Sequence, residues 1–159
     1  MDARPALERI ARALASCRLE AILIGNAAAA LHGAPVTTLD FDFLFRKTDT
    51  NVRKLKTLAR ELHGTVFRPF YPVSNLFRVQ TEIGGLQLDF MPGVHGIRSF
   101  ESARSRATSV DFASGRILVA SLADVIKSKR AAGRPQDRAV LPILEETLRE
   151  IEEAKGKSP

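Results

Sequence analysis

The feature that most constrains this chain is the segment 39–45, LDFDFLF, in which acidic and apolar residues alternate. Because side chains two residues apart on a strand share a face, Asp40 and Asp42 are expected on one face and the phenylalanines on the other. Aspartate is unfavourable inside strands, so its presence among phenylalanines and leucines points to a functional role. The segment therefore predicts a strand with a core on one side and an acidic site on the other.

The two carboxylates repel each other and are costly to bury, so a positive group is expected between them. Their side chains start about 7 Å apart and can converge on a pair of metal ions. Mg²⁺ takes carboxylate oxygens and keeps positions open for phosphate. Asp89, in the apolar segment 86–91, adds a third acid if its strand is a neighbour. The alternatives are two exposed acids on an edge strand and an Asp89 that merely ends its strand before a Pro-Gly turn.

Gly25 and Asn26 join a short apolar run to a short helix. Such a junction leaves backbone N–H groups unpaired at the positive end of the helix dipole, which favours phosphate. Gly25 permits close approach of the backbone, and Asn26 is a good N-cap. A plain strand–helix turn explains the dipeptide equally well when it is taken alone.

Hydrophobic periodicity predicts an α+β fold, a mixed β-sheet flanked by helices with a helical pair at the C-terminal end. The whole of 1–159 is interpreted as a single domain, with a helical subregion at about 121–154. Thr50 and Ser121 are expected to cap helices, and Pro135 to open the last one. Helices are predicted over 4–16, 27–31, 51–62, 122–132 and 135–153, and strands over 19–24, 39–45, 65–69, 74–82, 85–91, 108–112 and 117–119, with a hairpin turn at 83–86.

Composition excludes several classes of protein. The one cysteine, Cys17, allows no intramolecular disulfide and no cysteine-based zinc site, which fits a reducing compartment. No run of about 18 apolar residues is present, so no membrane span is expected. The N-terminus does not have the pattern of a signal peptide, and the expected location is the cytoplasm.

Positive charge is concentrated in one part of the chain. The net charge is +6, and residues 43–80 hold eight basic side chains against two acidic ones. A local basic block indicates an anionic partner such as a nucleotide or RNA. A solvated helix face with an ordinary charge bias is the other interpretation.

Taken in chain order, these motifs resemble the nucleotidyltransferase superfamily with the polymerase-beta-like fold. The resemblance is carried by Gly25-Asn26, the His32-Gly33 turn, Thr38-x-Asp40-x-Asp42 and the downstream Asp89. The stretch 121–137, with its lysine and Arg-x-x-Asp, looks like the minimal bacterial nucleotidyltransferases, including toxins of AbiEii type. The similarity covers residues 18–144.

The resemblance implies a Mg²⁺-dependent enzyme that moves an NMP from an NTP, for example ATP, to a hydroxyl of RNA, a protein or a small molecule. By this similarity Asp40, Asp42 and Asp89 would bind two Mg²⁺ ions, and Asp89 would also take the proton of the acceptor.

The same resemblance implies a set of residues that bind the nucleotide. Gly25 and Asn26 would hold the triphosphate, and Lys129 would be both a catalytic and a nucleotide-binding residue. Arg134 would contact phosphate or acceptor, and Asp137 would orient these cations.

Two other functions remain open from the sequence. Many relatives have an arginine where Val36 stands, which favours a catalytically silent binding or regulatory module, for example a toxin–antitoxin component that recognises a partner protein or nucleic acid. A metal-dependent nuclease is also compatible, because carboxylate pairs serve there too.

Overall fold

The alternating and helical patterns fold into one mixed sheet with helices on both faces. The computed structural model describes residues 3–38, 40–82 and 85–156, and every structural statement below refers to them. Leu39 and part of the predicted hairpin turn, Ile83 and Gly84, lie outside the described residues. The elements, in chain order, are α1 (Arg4–Cys17), β1 (Ala21–Ile24), α2 (Gly25–Leu31), β2 (Asp40–Phe45), α3 (Asp49–Glu61), β3 (Gly64–Phe67), β4 (Phe77–Thr81), β5 (Gln87–Met91), α4 (Phe100–Arg106), β6 (Thr108–Phe112), β7 (Gly115–Val119), α5 (Leu122–Ala132) and α6 (Pro135–Gly156).

The seven strands of the described residues follow the order β3-β4-β5-β2-β1-β7-β6. The pairs β2–β5 and β1–β7 are parallel, and the other neighbours are antiparallel. The predicted α+β class with a mixed sheet is confirmed. The acidic strand β2 lies in the interior of the sheet, between β1 and β5, and not at an edge.

The phenylalanine face of β2 forms the centre of the core. Phe43 stacks on Phe90, its register partner on β5, with ring centroids 5.1 Å apart. Phe45 makes edge contacts with Phe77 and Phe90. Burial of each such ring contributes about 1.5–3 kcal/mol to folding. The buried phenylalanines therefore fix the register of β2 in the sheet.

The helices contact one another in two groups. α1 contacts α3, whereas α2 contacts α5 and α5 contacts α6. α3 begins at Asp49, and the Oγ1 of Thr48 accepts a hydrogen bond from the backbone N–H of Asn51. The prediction of Thr50 as the cap is therefore wrong, because Thr50 already lies in the first turn.

The C-terminal helical pair is confirmed. Ser121 caps α5 by accepting a hydrogen bond from the backbone N–H of Asp124, and α6 begins at Pro135 and continues to Gly156, beyond the predicted end. A shorter helix, α4, occupies part of the segment 94–106, where Ser99 is the cap. No helix in the described ranges is both long enough and apolar enough to cross a bilayer.

Candidate active site

The parallel pairing of β2 and β5 brings two predicted site residues side by side. Asp42 and Asp89 are register partners, so their side chains project from the same face of the sheet. Asp40 shares that face but lies at the exposed start of β2. The predicted adjacency of the two acidic strands is confirmed, with Asp42 and Asp89 in the interior and Asp40 at the rim.

Asp89 is held by an arginine that the sequence analysis did not select. Arg78 on β4 is the register partner of Asp89 on the other side of β5. Its Nε and Nη2 donate to the two carboxylate oxygens of Asp89 at 2.8 and 3.1 Å. Both side chains are largely buried, and the hydrogen bond with Asp89 raises the pKa of Arg78. The negative charge of Asp89 is therefore already paired with the guanidinium group of Arg78.

Asp42 has no such partner among the described residues, and its electrostatics differ accordingly. Burial, together with the negative charges of Asp89 and Asp40, raises the pKa of Asp42 from 3.8 to about 6. The positive charges of Lys129 and Arg134 act in the opposite direction and offset it only in part. Asp42 is therefore a carboxylate in an environment that favours an additional positive charge.

The glycine of the predicted phosphate turn lies directly against Asp42. Gly25 has φ +70°, and a Cβ at this position would lie 3.1 Å from the Oδ2 of Asp42. α2 begins at Gly25 itself, after Ile24, and no side chain caps it. The prediction of Asn26 as the N-cap is wrong, because Asn26 is already inside the first turn; its Oδ1 is buried without a hydrogen-bond partner in the described residues.

Two predicted cations meet at one buried acid on the helical side of the site. Asp137, at the start of α6, is fully buried and accepts hydrogen bonds from the backbone and the side chain of Arg134, with the Nε of Arg134 at 2.7 Å. The Nζ of Lys129 lies 3.6 Å from the Oδ1 of Asp137. Burial alone would raise the pKa of Asp137, but these hydrogen bonds and charges outweigh burial and lower it. Asp137 therefore contacts both cations, and the orienting role that the resemblance implied stays a prediction.

These groups line one cleft of about 530 Å³. Gly25, Asp42, Asp89, Lys129 and Arg134 contribute to its wall, whereas Asp40 and Asn26 are not among the lining residues. The cleft also has apolar wall residues from the connections between strands, including Phe70, Leu76, Val94 and Ile97. A volume of this size accommodates a small ligand of nucleotide size.

Four polar lining residues were not selected by the sequence analysis as site residues: Arg78, His95, Asp124 and Ser128. Asp124 is buried, and its Oδ2 lies 2.9 Å from the Nε of Arg106. This ion pair stabilises the first turn of α5. The predicted hairpin between β4 and β5 did not identify Arg78 as the partner of Asp89. The predicted turn, centred on Gly84 and Gly85, places Arg78 opposite Met91; the observed register places it opposite Asp89.

The fit of these residues to a divalent cation can be judged from their partners. The described residues contain no group of three or more histidine, cysteine, aspartate or glutamate side chains arranged to hold a metal ion. Asp40 and Asp42 offer carboxylate oxygens, and Asp42 lacks a cation, which suits one hard divalent ion. Both oxygens of Asp89 are taken by Arg78. Binding of one divalent cation by Asp40 and Asp42 stays a prediction, as does the role of Asp89 as a metal ligand.

The fold and the clustered acids define a protein with the nucleotidyltransferase fold, and comparison with solved structures supports this assignment. The crystal structure of ANT(2″)-Ia in complex with adenylyl-2″-tobramycin matches with TM-score 0.62 and 18% identity, over 91% of this chain and 88% of that one. An antigenic nucleotidyltransferase-like protein from Paracoccidioides brasiliensis matches with TM-score 0.62 and 14% identity, over 91% and 74%.

A third structure, the lincosamide antibiotic adenylyltransferase LnuA with lincomycin bound, matches with TM-score 0.58 and 11% identity, over 84% of this chain and 90% of that one. No protein-family model matches the sequence, and no curated protein is significantly similar to it. At these identities the similarity is one of fold.

Proposed function

We propose that this protein is a nucleotidyltransferase that moves an NMP from an NTP to a hydroxyl group and releases pyrophosphate. The observation that carries the proposal is the in-register pair Asp42 and Asp89, which faces the cations Lys129 and Arg134 across one cleft. Solved structures with this fold include a lincosamide antibiotic adenylyltransferase and a protein in complex with adenylyl-2″-tobramycin, which supports transfer of a nucleotide.

The residues of the cleft divide into an anionic and a cationic side. Asp40 and Asp42 would hold a Mg²⁺ ion, which would neutralise charge on the phosphates of the nucleotide. Lys129 and Arg134, held by Asp137, would bind the triphosphate from the other side. Gly25 leaves space beside Asp42, so the backbone of α2 can approach the phosphates.

The reaction needs a group that accepts a proton from the acceptor. The acceptor oxygen forms a bond to the α-phosphorus, and the bond between that phosphorus and the bridging oxygen breaks, so that pyrophosphate leaves. Asp89 would take the hydroxyl proton, and in the described structure Arg78 holds its carboxylate by two hydrogen bonds. A second Mg²⁺ ion at Asp89 would require Arg78 to release at least one oxygen.

One observation favours the second candidate, a catalytically silent binding or regulatory module. Because Arg78 binds both carboxylate oxygens of Asp89, neither oxygen is available to a metal ion or to the acceptor in the described structure. A module of this kind would bind a partner through the same fold without transferring a nucleotide.

Transfer of a labelled nucleotide separates the two candidates. The wild-type protein is incubated with Mg²⁺ and each α-³²P-labelled NTP, with RNA, protein or aminoglycoside and lincosamide antibiotics as acceptors. The antibiotics are included because ANT(2″)-Ia and LnuA are solved with such compounds. Asp42→Asn should abolish transfer, whereas Asp111→Asn, which removes the same charge from the exposed edge strand β6, should retain it.

Calorimetry measures the binding of Mg²⁺ and of each NTP directly. It therefore tests the site even if none of the acceptors named above is the natural one. Metal-dependent binding of a nucleotide that Asp42→Asn removes supports the enzyme. Transfer that persists in Asp42→Asn contradicts the proposed site, and the absence of any nucleotide binding favours the silent module.

A further inference from the structure

Exposed apolar side chains are concentrated in a single segment of the described chain. Five large hydrophobic residues are exposed, and four of them lie between 67 and 73: Phe67, Phe70, Tyr71 and Val73. Tyr71 and Phe70 are 61% and 52% exposed. Because such residues are scattered on an ordinary surface, their clustering marks an interaction site.

Cations without acidic partners lie on α3, the helix that contacts β3. The exposed residues Arg53, Lys56 and Arg60 lie at spacings of three and four on α3, and none forms an ion pair with a carboxylate of the described residues. Arg68 stacks over Tyr71 with its guanidinium carbon 4.0 Å from the ring centroid. The chain has no acidic residue between Glu61 and Glu82. The surface thus combines aromatic rings with uncompensated positive charge.

The segment connects this surface to the proposed active site. Lys56, Arg68 and Tyr71 line a groove of about 360 Å³, together with Val66 and Phe67 of β3. Phe70, the neighbour of Tyr71, lines the cleft that contains Asp42 and Asp89, and the guanidinium of Arg78 lies 5.6 Å from its ring centroid. The connection from β3 to β4 therefore forms the wall shared by the groove and the cleft.

We propose that the surface formed by Arg53, Lys56, Arg60, Arg68, Phe70 and Tyr71 binds single-stranded RNA and leads its 3′ end into the cleft as the acceptor. Its basic residues would follow the phosphates, and Tyr71 and Phe70 would stack on bases that approach the cleft. The identification of RNA as the acceptor rests on the proposed function, whereas binding of RNA to the surface does not.

The combination of side chains favours RNA over a protein partner. Aromatic rings beside arginine and lysine suit unstacked bases and a phosphate backbone, and RNA offers such bases at loops and ends. Protein interfaces also use tyrosine and arginine, so competition with poly-L-glutamate is the measurement that separates an acidic protein partner from RNA.

Binding is tested with the full-length protein and a 5′-fluorescein-labelled 12-nucleotide oligo(U), without metal or NTP. Tyr71→Ala should weaken binding by about tenfold, because one base–aromatic stack is lost. Tyr71→Phe keeps the ring and should bind within about twofold of wild type. Duplex RNA of the same length should bind more weakly, and poly-L-glutamate at equal charge should not displace the oligonucleotide.

Charge is tested by the triple variant Arg53→Ala, Lys56→Ala and Arg60→Ala. The slope of log affinity against log salt should fall by about two, since each phosphate contact on a single strand contributes about 0.7. The matched control removes two arginines and one lysine that are exposed on β7 and α6, with Arg116→Ala, Arg149→Ala and Lys155→Ala. Its affinity and slope should be those of wild type. Circular dichroism confirms that the variants fold.

Four results would overturn the inference: unchanged affinity in Tyr71→Ala, an equal loss in the control triple variant, equal binding of duplex RNA, or displacement by poly-L-glutamate. The last result would identify an acidic polypeptide as the partner.

The acceptor role is tested by extension of the oligonucleotide with Mg²⁺ and NTPs. An oligonucleotide with a 3′-phosphate should bind equally but not be extended. Transfer to a small molecule without RNA binding would refute this inference alone. RNA binding without transfer to any acceptor would refute the proposed function and with it the acceptor role, but not the RNA-binding surface.

Discussion

Arg78 and Asp89 face each other across the antiparallel β4–β5 pair, and the guanidinium of Arg78 binds both oxygens of the carboxylate. Asp42, the neighbour of Asp89 on the other side, has no comparable partner in the described residues. The two central carboxylates therefore differ in role although they lie side by side. Asp89 is neutralised by the protein, while Asp42 depends on charges further away or on a bound cation.

We expect Arg78→Ala to increase the affinity for a divalent cation by about tenfold. The substitution frees the oxygens of Asp89 and removes a positive charge near Asp42, an effect worth on the order of 1–4 kcal/mol in a partly buried site. Calorimetric titration with Mn²⁺ measures the change. Arg104→Ala, which removes an arginine paired with Glu20 at the surface, is the control and should not alter the affinity. An unchanged affinity in Arg78→Ala would show that Arg78 does not compete with the cation.

We expect Asp42→Asn to stabilise the metal-free protein at pH 8 and not at pH 4. The folded state holds the proton of Asp42 more tightly than the unfolded chain, because its pKa rises from 3.8 to about 6. Stability therefore declines as the pH rises through this interval and stays lower above it. The asparagine avoids that loss and should gain up to about 3 kcal/mol at pH 8.

Urea unfolding in the presence of EDTA at pH 4 and pH 8 measures this gain. Asp111→Asn on β6 provides the matched control, and its effect should be small at both values of pH. A gain in Asp42→Asn of the same size at pH 4 and pH 8 would contradict the electrostatic explanation, since at pH 4 Asp42 is protonated in the folded state and the asparagine has no buried charge to remove.

We expect Gly25→Ala to destabilise the protein by about 1–2 kcal/mol and to weaken binding of Mn²⁺. Its φ of +70° is unfavourable for alanine, and the new Cβ would lie 3.1 Å from the Oδ2 of Asp42. Gly33→Ala is a matched control: Gly33 has φ +99°, and its added Cβ meets no atom within 4 Å. Both variants should lose stability by thermal unfolding, but only Gly25→Ala should lose affinity for the ion. Equal affinity in the two variants would exclude a role for the space beside Asp42.

The acidic half of the site could be predicted because the pattern of β2 allows only one arrangement. A strand with phenylalanine on one face must turn Asp40 and Asp42 to the other, and a one-residue slip would bury both acids in the core. The pairing of β2 with β5 follows the same rule, since Phe43 and Phe90 must meet in the core. The apolar side chains thus fix the positions of the acids.

The partner of Asp89 could not be predicted from the same pattern. A hairpin centred on Gly84 and Gly85 would place Arg78 opposite Met91, on the same face of the sheet, so the alternation of side chains does not distinguish the two registers. The start of α2 was missed for a related reason. Gly25 begins α2 with a positive φ, a conformation that glycine allows but does not require. The presence of a glycine in the sequence therefore does not show that the helix begins there.

The last prediction concerns the buried acid that joins α5 to α6. We expect Asp137→Asn to destabilise the protein by about 2–4 kcal/mol at pH 7 and to weaken NTP binding, because Arg134 and Lys129 lose their common partner. The pKa of Asp137 lies below its ordinary value of 3.8, so the stabilising charge is present above that value and is lost as the pH falls through the lowered pKa. Chemical unfolding should therefore show a difference from wild type that shrinks at the acidic end. Glu145→Gln, which removes the exposed partner of Arg130, should cost about 0.5 kcal/mol or less and leave NTP binding unchanged in calorimetry. If Asp137→Asn loses stability but binds NTP as wild type does, Asp137 serves the packing of the two helices and does not position the cations.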